Sequence, residues 1–313
     1  MTQLEQVFLD WNELTGSIPP AIGQLVNLEG LGLAENNLTG TIPVELATLT
    51  ALTEVWLEGN DLEGSIPPQI GQLTRLTHLS LWDNNLSGPI PPSVTNLRDL
   101  QMLALSYNDL TGPIPTDLGA LTRLTALYLN ANELSGTVPD SIRNLTQLGD
   151  LNLGFNQLTG QIPSWIGDLT SLVNLSFESN ELTGPVPPSI WNLTGLRYLA
   201  VGGNRVTGSL STAIGGMTGL EVLSIHYSAM SGPIPREIGN LRRLQYFYGS
   251  QSGLSGPIPP EIGNLEDVIW LWLGDNNLDG SIPPEIGNLA AMEWLDLSSN
   301  RLEVFPKALA YLS

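Results

Sequence analysis

The chain has 313 residues, with 31 acidic side chains against 11 basic ones and a formal net charge of −20. Such a balance excludes nucleic acid as a partner, because phosphate binding depends on clustered Lys and Arg, and it disfavours anionic membrane for the same reason. The absence of cysteine removes disulfides and thiolate metal sites, and no apolar run approaches the length of a membrane span.

Reading from the amino terminus, a unit of 24 residues runs in twelve copies from Leu4 to Ala291; a shorter thirteenth copy occupies residues 292–313. Its firmest marker is an asparagine, at Asn12, Asn36, Asn60, Asn84, Asn108, Asn132, Asn156, Asn180 and Asn204, then at Asn276 and Asn300; the two intervening beats are Ser228 and Ser252. A strict period of this length is the mark of a stacked-repeat solenoid, and an unbroken period predicts one domain over 1–313.

Within the copy Leu100–Arg123, L-x-x-L-x-L alternates with period two and predicts a short strand with one buried face. Asn108 follows, where its amide can bond backbone groups that the turning chain leaves unpaired, so the stacked asparagines are expected to form a buried ladder. Gly112 and Pro115 turn the chain, and the three-residue spacing of Leu118 and Leu121 predicts a short or 3₁₀ helical turn. At the two silent beats the shorter hydroxyl predicts a buried water or a shifted loop.

The unit L-x-x-L-x-L-x-x-N-x-L-x-G-x-I-P-x-x-(L/I)-x-x-L resembles the plant-type leucine-rich repeat of receptor-like kinase ectodomains and polygalacturonase-inhibiting proteins. The resemblance covers essentially the whole chain, with Gly at its consensus position from Gly16 to Gly280. It implies an α/β right-handed solenoid of about 13 repeats, with a parallel sheet on the concave face and short 3₁₀ turns and loops on the convex face. It also implies an extracellular or cell-surface setting. No signal peptide is visible before Leu4, and the paired-Cys caps of the family are missing, so the chain reads either as a cytosolic protein or as a trimmed piece of a longer, secreted one. Five N-x-S/T sequons, at Asn37, Asn85, Asn144, Asn174 and Asn192, largely repeat the wording of the unit itself.

In this register the third, fifth, seventh, eighth and tenth positions of each copy point outward on the concave side. These five of 24 positions hold 14 of the 20 aromatics, including six of the eight tryptophans. They also hold 14 acids, opposed only by Arg205 and Arg301. Leu, Val and Ile already fill the core positions, so the aromatics are expected either to stabilise the sheet by cross-strand pairing or to form a binding face. Irregular copies cluster late in the chain, where Gly202-Gly203, Leu210-Ser211, Ser228 and Ser252 break the pattern. The candidate ligand residues are therefore Tyr198, His226, Tyr227, Tyr246, Tyr248, Trp270, Trp272 and Trp294, with Asp275, Asp296 and Glu178 for electrostatic selection, and Trp56 and Trp82 earlier in the chain. Aromatic rings with carboxylates suit a basic peptide or protein. A carbohydrate stacked on the indoles is the alternative, and a self-associating scaffold is a third reading.

Catalytic and metal chemistry is not expected. His78 and His226 lie six repeats apart, Ser224 and His226 share a strand face without an orienting acid, and Glu58 with Asp83 make only a carboxylate pair. No cofactor is called for.

Overall fold

A computed structural model describes residues 3–304. Each repeat contributes a three-residue strand from its L-x-x-L-x-L segment, and these strands run parallel in chain order. Two compact units divide the chain, Met1–Leu158 and Thr159–Ser313. The first unit holds seven such strands, from Gln6–Phe8 to Asp150–Asn152, and the second holds six, from Asn174–Ser176 to Trp294–Asp296. Register is conserved at 24 residues per step, as in Tyr246↔Trp270 and Trp270↔Trp294, so equivalent side chains form straight columns across the strands. The inward column of leucines, including Leu79, Leu103, Leu127, Leu223 and Leu271, is fully buried.

Twelve 3₁₀ turns return the chain, and no α-helix occurs among the described residues. Eleven are preceded by extended residues, mostly proline, whose fixed φ near −65° suits the entry. Each closes on a leucine or methionine whose N–H bonds three residues back, as Leu97 does to Val94. The three-residue Leu spacing is thus a 3₁₀ turn, as the sequence predicts.

A second ladder is absent from the sequence reading. The segment after each asparagine, read there as a turn, forms another parallel strand, giving a seven-stranded sheet from Thr15–Ser17 to Gln157–Leu158 in the first unit. Its central glycines explain the consensus: Gly16 through Gly280 all adopt φ between 69° and 108°, a left-handed conformation open to glycine at little steric cost. In the second unit this ladder is interrupted. Three strands end at Ala229–Met230, three begin at Ser255–Pro257, and among the described residues only the bridge Gly232↔Leu254 links them. The break flanks Ser228 and Ser252, so the silent beats coincide with a real irregularity.

The asparagine ladder forms. Asn84 is typical: its amide donates to the carbonyls of Leu57 (3.0 Å), Leu81 (3.3 Å) and Trp82 (3.2 Å), and its Oδ1 accepts from the Leu62 N–H at 3.0 Å. The same geometry recurs at Asn36, Asn60, Asn108, Asn132, Asn156, Asn204, Asn276 and Asn300. Asn12 and Asn180 show the contacts to their own turn. Ser252 is fully buried: its hydroxyl reaches the Ile225 carbonyl at 2.8 Å, and its N–H is taken by Asn276 Oδ1 at 3.1 Å. The loop expected to shift there does so: Gly253 takes φ 69°, alone in the left-handed region among the tenth-position residues described, and the Ser252 N–H turns to the amide of the next repeat. Ser228 is half-buried, and its Oγ accepts from the Met230 N–H at 3.4 Å. The atypical end of the last copy, Phe305 to Ser313, lies outside the described residues.

Candidate functional site

The fourteen aromatics assigned outward from the register are all at least partly exposed, whereas Trp165, Phe177, Trp191 and Phe247 are buried in the core. Phe305 and Tyr311 fall outside the described residues. One position on this face has an unforeseen backbone. The residue before each ladder position, from Trp11 to Ser299, sits at φ between 48° and 63° in every repeat, and only Gly59 and Gly203 are glycines. A left-handed non-glycine residue costs on the order of 1 kcal/mol. Trp11, Tyr107, Phe155 and Tyr227 occupy that corner and project their rings into solvent.

The acids need one correction. Asp61, Asp109 and Glu133 open strands of the second ladder, and Glu13 and Glu181 occupy the same tenth position. The opposing Arg205 and Arg301 leave the aromatic face for the same reason. Nine of the fourteen acids remain with the first strands and their corners, where no Lys or Arg holds an outward position among the described residues. The error arose from extending the outward alternation past the asparagine, where the chain turns into another sheet.

In the second unit most candidates converge on one open cavity of about 620 Å³. Trp270 and Trp272, on one strand, stack at 5.2 Å and 10°. Tyr248 meets Trp272 edge-on at 5.2 Å, and Trp294 meets it at 6.3 Å from the following strand. Tyr246 lies behind this row, stacked on Tyr248 at 6.1 Å and edge-on to Trp270 at 5.5 Å. The rings therefore pair across strands, each contact contributing about 0.5–1.5 kcal/mol, and still present their outer edges. Trp272 Nε1 is buried with no hydrogen-bond partner.

At the other wall, Glu178 gathers a polar cluster from three repeats. Tyr198 donates to its Oε2 at 3.4 Å, Ser224 donates to its Oε1 at 3.1 Å, and His226 Nε2 lies 3.5 Å from Oε1. Ser224 Oγ is also 2.9 Å from His226 Nδ1. Burial, then the Glu178 charge and hydrogen bond, push the Tyr198 phenol up to about 12. Burial also raises Tyr248, with Tyr246 and Glu178 adding to it. Gly202 makes room for the cluster, since a Cβ there would stand 2.6 Å from the His226 carbonyl and 3.0 Å from its ring. The expectation that Ser224 and His226 have no acid beside them is thus wrong: Glu178 arrives from 46 residues upstream, a distance no local motif could reveal. Ser224 is nevertheless only 1% exposed, so its hydroxyl cannot meet a substrate.

Asp275 and Asp296 rim the same cavity with Ser250 and Gln251, which the sequence did not single out. Gln251 donates to Asp275 at 3.4 Å; its outward eighth position in the repeat was the available signal. Asp296 accepts from the N–H and hydroxyl of Ser298. Trp56 and Trp82 are not part of this cavity; they line a separate one in the first unit. No group of three His, Cys, Asp or Glu is arranged to hold a metal ion among the described residues.

A ladder of parallel strands, 3₁₀ returns and buried asparagines defines a leucine-rich solenoid. Family models described as leucine rich repeat match residues 74–134, 122–182, 3–25, 51–73 and 267–289, together more than half of the chain. The chain belongs to the leucine-rich-repeat family, in its plant-type form. It is similar to the plant peptide hormone receptor RGFR1 solved in complex with RGF2, at 36% identity and a TM-score of 0.93, covering 99% of this chain and 50% of that one. The PEPR1-AtPEP1 structure is 36% identical, with a TM-score of 0.90, covering 97% of this chain and 43% of that one. The chain thus spans about half the length of these receptors. A leucine-rich-repeat protein of Leptospira interrogans is 30% identical with a TM-score of 0.71, covering 100% of this chain and 84% of that one. No curated protein matches the chain.

Proposed function

We propose that this chain is a non-catalytic module that holds a protein or peptide on the aromatic, acidic face of its first-strand sheet, anchored in the second-unit cavity. The observation that carries the reading is the row Tyr248, Trp270, Trp272 and Trp294, stacked and rigid yet open to solvent, opposite the carboxylates of Glu178, Asp275 and Asp296. Stacked indoles lose little side-chain freedom on binding, and Trp and Tyr are the usual energetic anchors of interfaces. Trp272 Nε1–H supplies a donor awaiting an acceptor. The relatives RGFR1 and PEPR1 are solved with RGF2 and AtPEP1, and a peptide is the ligand class this comparison supports.

The test is selection of a random peptide library on the chain, followed by calorimetry with the Trp270→Ala and Trp272→Ala variants. Each should keep the thermal transition of the parent to within a few degrees and weaken the selected peptide by at least about thirtyfold, the level of an interface hot spot. Collapse of the fold in both variants would assign the rings to sheet packing. Hits on a glycan array with no peptide enrichment would assign the face to carbohydrate.

A further inference from the structure

The first unit has its own cavity, of about 530 Å³, and its chemistry differs from that of the second. Its walls are aromatic and held in place. The Trp56 indole N–H donates to Glu54 Oε2 at 2.9 Å, while the ring stacks on His78 at 5.6 Å and 27°. Trp82 and Tyr107 meet edge to face at 5.9 Å and 88°, forming a corner of which both members are exposed.

Between these walls lie carboxylates with no Lys or Arg beside them among the described residues, although Glu58 accepts hydrogen bonds from Ser80 and from backbone. Glu58 is half-buried, and its Oε2 is enclosed without a hydrogen-bond partner. Burial raises its carboxyl above the ordinary glutamate range against the hydrogen bonds from backbone and Ser80, and the nearby charges of Asp10 and Glu35 add smaller upward pushes. Space for this arrangement comes from Gly59, one of two glycines among the thirteen left-handed corners; a Cβ there would stand 2.7 Å from the Glu35 carboxyl carbon. The four arginines of this unit are elsewhere. Arg75, Arg98 and Arg123 follow 3₁₀ turns and Arg143 lies within one; Arg98 bonds the Ala120 carbonyl and Arg123 pairs with Asp99. A neutral hydroxyl could satisfy the buried oxygen but would leave the mutual repulsion of the carboxylates. A cation answers both, and it also gains from the indole faces.

We propose that the first-unit cavity is a recognition pocket for one cationic side chain, a lysine or arginine of a protein or peptide ligand, received by Trp56, Trp82 and Tyr107 and neutralised by Glu35 and Glu58. This rests on the reading of the chain as a ligand-binding module and extends it to a basic ligand, independently of which residues anchor that ligand in the second unit.

The probes are N-acetyl-arginine amide, N-acetyl-lysine amide and the neutral isostere N-acetyl-citrulline amide, titrated against the whole chain and followed by the indole N–H resonances. Expected are saturable shifts with at least one cationic probe, binding about tenfold weaker for citrulline, and a similar loss in Glu58→Gln and Trp82→Ala. Trp272→Ala should leave the cationic probe unaffected. Equal binding of citrulline, or an unchanged affinity in Glu58→Gln, would overturn the pocket. Loss of peptide binding in Trp272→Ala, in the library experiment, would stand or fall separately.

Discussion

Replacing Asn84 by alanine tests whether the asparagine ladder holds the solenoid or merely accompanies it. The substitution removes three amide donations and one acceptance. The carbonyls are insured: Leu57 still receives Asn60, Leu81 receives Asn108, and Trp82 receives the Gly59 N–H. The Leu62 N–H loses the only side-chain acceptor it has, and Leu62 is fully buried. An orphaned buried donor costs about 1–3 kcal/mol, and the small cavity adds to it, so a loss of about 2–4 kcal/mol is expected. Asn84→Asp should cost more than alanine, since a carboxylate oxygen would then face three carbonyls. Asn84→Ser should cost less, because Ser252 shows that a hydroxyl can reach one of those carbonyls. Because repeat arrays do not always unfold in one step, urea denaturation should be paired with hydrogen exchange at the Leu62 amide, which should lose protection first. A change within about 0.5 kcal/mol for alanine, or aspartate better tolerated than alanine, would refute the ladder's energetic role.

Two pH effects follow from the face itself. Glu58 has a raised carboxyl in the fold, so folding favours its protonated form; that stability is present at low pH and is lost as pH rises through the folded value. Glu58→Gln should therefore raise Tm at neutral pH, with the gap closing as pH falls below the ordinary glutamate range; an unchanged Tm at pH 7 would contradict the burial and charge argument. Tyr198 stays protonated to about 12 in the fold, whereas an unfolded tyrosine ionises near pH 10, so this residue drains stability as pH rises between those values. Spectrophotometric titration should show Tyr198→Phe losing one late-ionising phenol and resisting alkali better than the parent.

Much of this was legible residue by residue. The leucine columns, the asparagine ladder and the 3₁₀ returns follow from a pattern that each copy repeats, and the outward aromatics follow from strand alternation. The convergence of Tyr248, Trp270, Trp272 and Trp294 was legible too, because a fixed register turns a 24-residue interval into a neighbouring strand. The second ladder was not. It requires a glycine in the left-handed region followed by extended chain, and the same Gly and Pro that mark a turn in isolation open a strand when a neighbour lies alongside.

The amino-acid sequence by itself determined the solenoid, its period and which side chains leave the core, since each of these depends on contacts between one copy and the next. Only the tertiary structure decided how side chains from more distant copies meet. It brought Glu178 to Ser224 and His226, and it moved the tenth-position acids onto the second ladder. It also left Glu58 with an enclosed oxygen and no counter-charge. Such meetings depend on side-chain reach across two repeats and on corners where a glycine makes room, and neither is written in the period.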